Sequence, residues 1–135
     1  MRAAAILTAA ALAAMAGSAA AQADVPVRTP LAELPIAPAK PVSRVVTTRV
    51  DFRPGQTMPR HKHTVPVICF VTRGTFLVSI GDAPERRAEV GTVTYEPPQT
   101  IVHYFRNASA TDPAQLECAS LAGDDDHILN VMSPQ

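Results

Sequence analysis

The chain has 135 residues, with twelve basic and twelve acidic side chains, four histidines, two cysteines and no tryptophan. That balance implies no large basic face, so nucleic acid is not an expected partner. Thirteen prolines scattered through a 47% hydrophobic chain leave little room for long helices.

The first element is a targeting segment. Met1 and Arg2 give a positive start, Ala3 to Ala16 is apolar apart from Thr8, and small residues lead to Ala21-Gln22-Ala23. This order predicts a signal peptide over 1–23, cleaved after Ala23. An uncleaved anchor is the alternative, but the run is short for a membrane span and no second candidate follows. Export predicts a periplasmic or secreted protein with no membrane association after cleavage. Loss of Arg2 leaves eleven basic against twelve acidic residues.

Residues 24–41 carry Pro26, Pro30, Pro35, Pro38 and Pro41. Proline at this density predicts an extended arm, either a disordered leader or a strap across its own domain or a partner. Residues 42–135 form one domain, and its signals are β. Val42 to Phe52 alternates, with Val46, Thr48, Val50 and Phe52 on one face. Val65 to Thr72 is apolar on both faces, which suits a buried strand. Arg73-Gly74 separates it from Thr75 to Ile80, and Gly81-Asp82-Ala83-Pro84 is a turn. Glu89 to Tyr95 reads as one strand ended by Pro97-Pro98, and Ile101 to Arg106 and Gln115 to Leu121 complete the series. Short strands with frequent turns predict an all-β, closed or nearly closed antiparallel barrel or sandwich. Asp124-Asp125-Asp126 lacks the spaced ligands of a calcium loop and reads as a solvated turn.

His61 and His63 carry the chemistry. Residues i and i+2 of a strand share a face, so both imidazoles can grip one ion, and His103 on another strand can close the set. His127 lies outside this pattern and reads as a surface residue.

The spacing around these histidines resembles the cupin family. Gly55, five residues, His61-Lys62-His63, ten residues and Gly74 resemble its first motif. Gly91, Pro97-Pro98, then His103 and Asn107 with three residues between them, resemble the second, with Thr100 where a glycine is common. The resemblance implies a single cupin-like antiparallel β-barrel or jelly roll with a metal held by His61, His63 and His103. It also implies a glutamate four residues after the second histidine, where this chain has Val67. The expected ligand set is therefore three neutral imidazoles on one divalent transition metal, Fe, Mn, Zn, Ni or Cu.

Around that centre, Val67, Cys69, Phe105 and Gln99 are expected to line the pocket, Phe105 because alternation gives it the face of His103. Glu96 and Tyr95 are the candidate catalytic side chains. Glu96 reads either as a replacement carboxylate or general base, or as a solvated turn residue at the barrel mouth. Cys69 and Cys118 can pair as a disulfide in an oxidising compartment, act as a soft ligand or reactive thiol, or pack as small hydrophobes. Asn107 reads as a turn residue bonding nearby backbone. Ile68 and Phe70 face outward, so a homodimer partner or the arm is expected to cover them. The functional expectation is a metal-dependent enzyme acting on a small molecule, with an oxygenase the most concrete subtype. The alternative is a non-catalytic cupin that holds a metal or small ligand.

Overall fold

A computed structural model describes residues 26–132, so the expected signal peptide and its cleavage site lie outside the described residues. Among the described residues there is no helix, and ten strands form two antiparallel sheets. In the first sheet, β1 (Arg44–Phe52) pairs with β9 (Ala114–Ala122), which pairs with β4 (Val67–Arg73), which pairs with β7 (Val93–Glu96). In the second, β10 (Asn130–Met132) pairs with β3 (His61–His63), followed by β8 (Ile101–Asn107), β5 (Thr75–Ile80) and β6 (Arg86–Glu89). The short β2 (Thr57–Met58) pairs with β8. The expected all-β barrel of jelly-roll type is what the chain forms.

Alternation does most of the work. Val67, Cys69 and Val71 of β4 are buried, while Phe70 between them is 40% exposed. Phe52 meets Phe76 edge to face across the gap between the sheets, ring centroids 4.9 Å apart, and Phe76 meets Phe105 edge to face within the second sheet at 6.2 Å. With Val71, Val78 and Leu116 they form the larger core cluster. Val65, Val67 and Cys69 form a smaller one, and a cavity between the sheets is lined by residues of both.

Two departures from regular pairing shape the site. The segment expected as one strand from Glu89 to Tyr95 is two, because the chain turns at Gly91, whose φ of 88° favours glycine. The second departure is a β-bulge. Ser79 pairs with Tyr104 but Ile80 pairs with Val102, so His103 is an extra residue with no partner on β5. Past a bulge, the inside–outside alternation reverses.

The arm has no regular structure. Leu31, Ala32 and Leu34 lie with Ile68, Phe70 and Val93 around a shallow groove on the outer face of the first sheet. Lys40 pairs with Asp126, and Ser43 bonds Asp124 and the backbone of Ala122. The aspartate turn thus ties the arm to the barrel. Asn107 is buried and joins two loops, 53–56 and 108–113. Its amide donates to the carbonyls of Arg53 and Asp112, and its carbonyl accepts from Ser109 N.

Candidate metal centre

β3 is three residues long, between Pro59 and Pro66, and it projects both His61 and His63 into the cavity. Their rings stand nearly perpendicular, centroids 5.0 Å apart. The Nδ1 atom of His61 lies 2.8 Å from the carbonyl oxygen of Pro59, and that of His63 lies 3.2 Å from the carbonyl oxygen of Leu129. A carbonyl only accepts, so each Nδ1 carries the hydrogen. In a neutral ring each Nε2 is then a lone pair, the arrangement that backbone carbonyls impose on metal-binding histidines.

Both lone pairs face a third group. Glu96 is 3% exposed at the end of β7, with Oε2 2.8 Å from His63 Nε2 and 3.7 Å from His61 Nε2. That oxygen is buried without a well-aligned hydrogen bond, despite its closeness to His63. Ligand atoms of His61, His63 and Glu96 all lie within 4.8 Å of one another. Two lone pairs and an anionic oxygen aimed at a common point repel unless a cation sits among them. These residues therefore fit a divalent metal, and in its absence a proton takes the role.

The electrostatics agree. Burial works against a charged His61, but the Glu96 carboxylate and the Pro59 carbonyl outweigh it and hold the imidazole above its ordinary 6.5. Burial would likewise raise Glu96, but the two imidazoles reverse that and hold it below its ordinary 4.5.

Three expectations about this site need correction. His103 does not join His61 and His63. The bulge turns it to solvent, where its Nε2 lies 3.2 Å from the carbonyl of Gly81, and Val102 takes the inward place at 0% exposure. Phe105 still lines the cavity, because the alternation reverses between it and His103. Glu96 is not a solvated turn residue: Pro97 ends β7 just after it, and its parity with buried Thr94 turns it inward. Gln99 is exposed and does not line the cavity. Its φ of 61° makes it the left-handed residue of the turn, in place of Thr100, and its N–H donates to the carbonyl of His63 at 2.7 Å.

Tyr95 points away from Glu96. It pairs with Ile68 on the outer side of the sheet, its hydroxyl buried without a partner. Val67 does face the cavity, and it is the direct cross-strand partner of Glu96. The carboxylate absent from position 67 is thus supplied from the adjoining strand, one strand spacing away. His127 is exposed, outside the cluster.

Cys69 and Cys118 are cross-strand partners on β4 and β9 and are joined by a disulfide with an S–S distance of 2.03 Å. They line the cavity, and Cys69 Sγ lies 3.4 Å from Glu96 Oε1. The sulfur has no hydrogen to donate, so this contact is packing that fixes the carboxylate. Sequence reasoning did not anticipate Leu129, whose carbonyl orients His63 from the segment leading into β10. No pattern near Leu129 announces that role.

A family model described as "Cupin domain" matches residues 48–120, more than half of the chain. No curated protein sequence matches it. Among solved structures, a conserved double-stranded β-helix protein from Klebsiella pneumoniae is 16% identical, with a TM-score of 0.56 over 67% of this chain and 76% of that one. An oxalate oxidase is 26% identical, with a TM-score of 0.58 over 67% of this chain and 46% of its own. The DMSP lyase DddQ from Ruegeria pomeroyi is 18% identical, with a TM-score of 0.56 over 66% and 43%. This chain therefore spans less than half of those two enzymes. Together, the family match over the barrel strands and the double-stranded β-helix likeness establish that the chain belongs to the cupin family.

Proposed function

We propose that this cupin is a metal-dependent enzyme of the oxygenase type. It would hold one divalent transition metal through His61 Nε2, His63 Nε2 and the Glu96 carboxylate. The observation that carries this reading is the buried, unsatisfied Oε2 of Glu96 facing two imidazole lone pairs. Two histidines and one carboxylate are the donor set of non-haem iron oxygenases, and of some zinc hydrolases. Iron bound there would supply the redox chemistry. The chain's own residues hold Nε2 deprotonated, fix the carboxylate against the disulfide and shield the centre with Val67, Phe105 and Leu129. Apart from the three donors, the described lining residues include no acid or base for proton transfer, so hydrolysis is the less favoured reaction.

That same lack of an acid or base favours one alternative, a cupin that holds a metal or small ligand without turning it over. Export to the periplasm or beyond belongs to the proposal and is supported by the disulfide. A homodimer also belongs to it, supported by the half-exposed Phe70 face. The test is to purify the mature chain without a metal-binding tag and load it anaerobically with Fe(II). Metal content and oxygen uptake are then measured against catechols, diketones, thiols and hydroxy acids. One bound iron with uptake on one class supports the enzyme; one bound iron and no uptake favours the holder. Failure of Fe(II), Mn(II), Zn(II), Ni(II) and Cu(II) alike to bind defeats the enzyme and the metal holder, leaving only a holder of a small ligand.

A further inference from the structure

The cavity beyond the metal centre points to a class of ligand. Its volume is about 190 Å³. Val50, Phe52, Met58, Val67, Phe105 and Leu116 form its apolar wall, with the Cys69–Cys118 disulfide beside them. The exposed lining residues Val46, Thr48 and Asn130 mark the mouth between β1 and β10. His61, His63 and Glu96 form one polar group on this side, since Asn130 is the cross-strand partner of His63, and Ser120 adds a hydroxyl between Val46 and Val67. Among the described lining residues there is neither lysine nor arginine.

Each feature restricts the occupant. A cavity of about 150 Å³ accepts benzene, so 190 Å³ accommodates roughly seven to nine non-hydrogen atoms. An apolar wall favours a hydrocarbon body. The single cation site permits one charged or chelating head, because a carboxylate held away from it, among the apolar side chains, would have no cation to meet it. The cavity therefore differs in kind from what a long dianion or a sugar phosphate requires.

We infer that the ligand is a small amphiphile: a monoanionic or neutral molecule with one carboxylate, hydroxyl or carbonyl head on the metal. Its aliphatic or aromatic body, of about six carbons, occupies the space between Phe52, Phe105 and Leu116. This inference rests on the metal-centre reading for the position of the head and on the cavity alone for the body. The apolar wall sets a gradient. Each methylene added to a straight-chain monocarboxylate should tighten binding about fourfold while room remains. The gain should stop near hexanoate or benzoate, when the cavity is full.

The experiment is calorimetric titration of the metal-loaded protein, with metal content measured on the same sample. The ligands are acetate, butanoate, hexanoate, benzoate, octanoate and decanoate, with adipate, hexanoate carrying a second carboxylate at its far end, as the dianion. Support is a stepwise rise from acetate to hexanoate, a halt by octanoate, and adipate at least tenfold weaker than hexanoate. With metal bound, adipate matching hexanoate, or no dependence on chain length, would overturn the inference and leave the metal centre standing. A rise that continues unbroken to decanoate would also overturn it, since that signals adsorption on exposed surface. If no metal is taken up but the rise and halt persist, the apolar cavity is upheld and the metal reading fails. If neither metal nor a chain-length dependence is found, both fail.

Discussion

Replacing Glu96 by Gln and His103 by Ala separates the ligand set found in the structure from the one the sequence suggests. Gln keeps the shape of Glu96 but loses its charge; His103→Ala removes an exposed ring whose Nε2 lies 3.2 Å from the Gly81 carbonyl oxygen. In the wild type, a metal at 100 times its dissociation constant stabilises the fold by about 2.7 kcal/mol. At roughly 4–8 °C per kcal/mol for a domain of this size, the melting temperature rises by about 10–20 °C. Changes to groups that merely orient metal ligands cost roughly 10–100-fold in affinity, so loss of the ligand itself should cost at least about 100-fold. At the same metal concentration Glu96→Gln then retains only about 0.4 kcal/mol, a shift of about 2–3 °C. His103→Ala should change stability by no more than about 0.5 kcal/mol and keep the full metal shift. The assay is differential scanning calorimetry with and without Fe(II), Mn(II) or Zn(II), supported by metal content. A full shift in Glu96→Gln, or its loss in His103→Ala, would refute the assignment of Glu96 in place of His103.

The remaining predictions probe neighbouring terms. Because Val67 and Glu96 are direct cross-strand partners, the exchange Val67→Glu/Glu96→Val should restore much of the metal-induced melting shift that Glu96→Val alone abolishes. The single change Val67→Glu sets two carboxylates side by side and should lower the stability of the metal-free protein, read by denaturant unfolding. In the metal-free protein, His61, raised by Glu96, stabilises the fold below pH 6.5, and that contribution is lost as pH climbs through its folded value. Glu96, lowered by the imidazoles, stabilises above pH 4.5 and loses its contribution as pH falls through its folded value. Their joint contribution is thus greatest between these two values. The metal must displace the proton they share, so the metal-induced shift should be larger at pH 8 than at pH 5.5; equal shifts would contradict this. Paired Cys69→Ser/Cys118→Ser substitution opens a loop of 49 residues and should cost up to about 4 kcal/mol by chain entropy, measured as a lowered denaturant midpoint. Unchanged stability would show that the bond does little for the fold.

The barrel was readable because its evidence is repetitive. Val46, Thr48, Val50 and Phe52 state an inward face four times over, and Val67, Cys69 and Val71 do so again, so no single misread residue could hide the fold. Leu116, Cys118 and Ser120 share the inward face of β9, and that parity brings Cys118 opposite Cys69. Short pieces were harder. β3 and β10 have three residues each and carry no alternation of their own, yet they hold the two histidines and the mouth. Their positions come from pairing with β8 and with each other, which is long-range information.

The site was half readable for a physical reason that concerns counting. His61 and His63 are two residues apart, so whatever register β3 adopts, they share a face. His103 had no such protection. Its direction depended on unbroken alternation along β8, and one extra residue was enough to reverse it. The bulge keeps Phe105 in the core while turning His103 out, so the residue chosen by spacing and the residue chosen by alternation could not both point inward. Glu96 was the complementary case. Its place beside Pro97-Pro98 resembled a turn, but a proline that follows a strand also makes the preceding residue its last member. As that last member, with Thr94 buried two residues earlier, Glu96 had to face in. The chain therefore has one carboxylate at its candidate metal centre, a single strand pair away from where the resemblance implies it, at 96 instead of 67. A charge is harder to dispense with than a position, because two buried lone pairs without an anion would bind a divalent ion only by leaving its charge uncompensated.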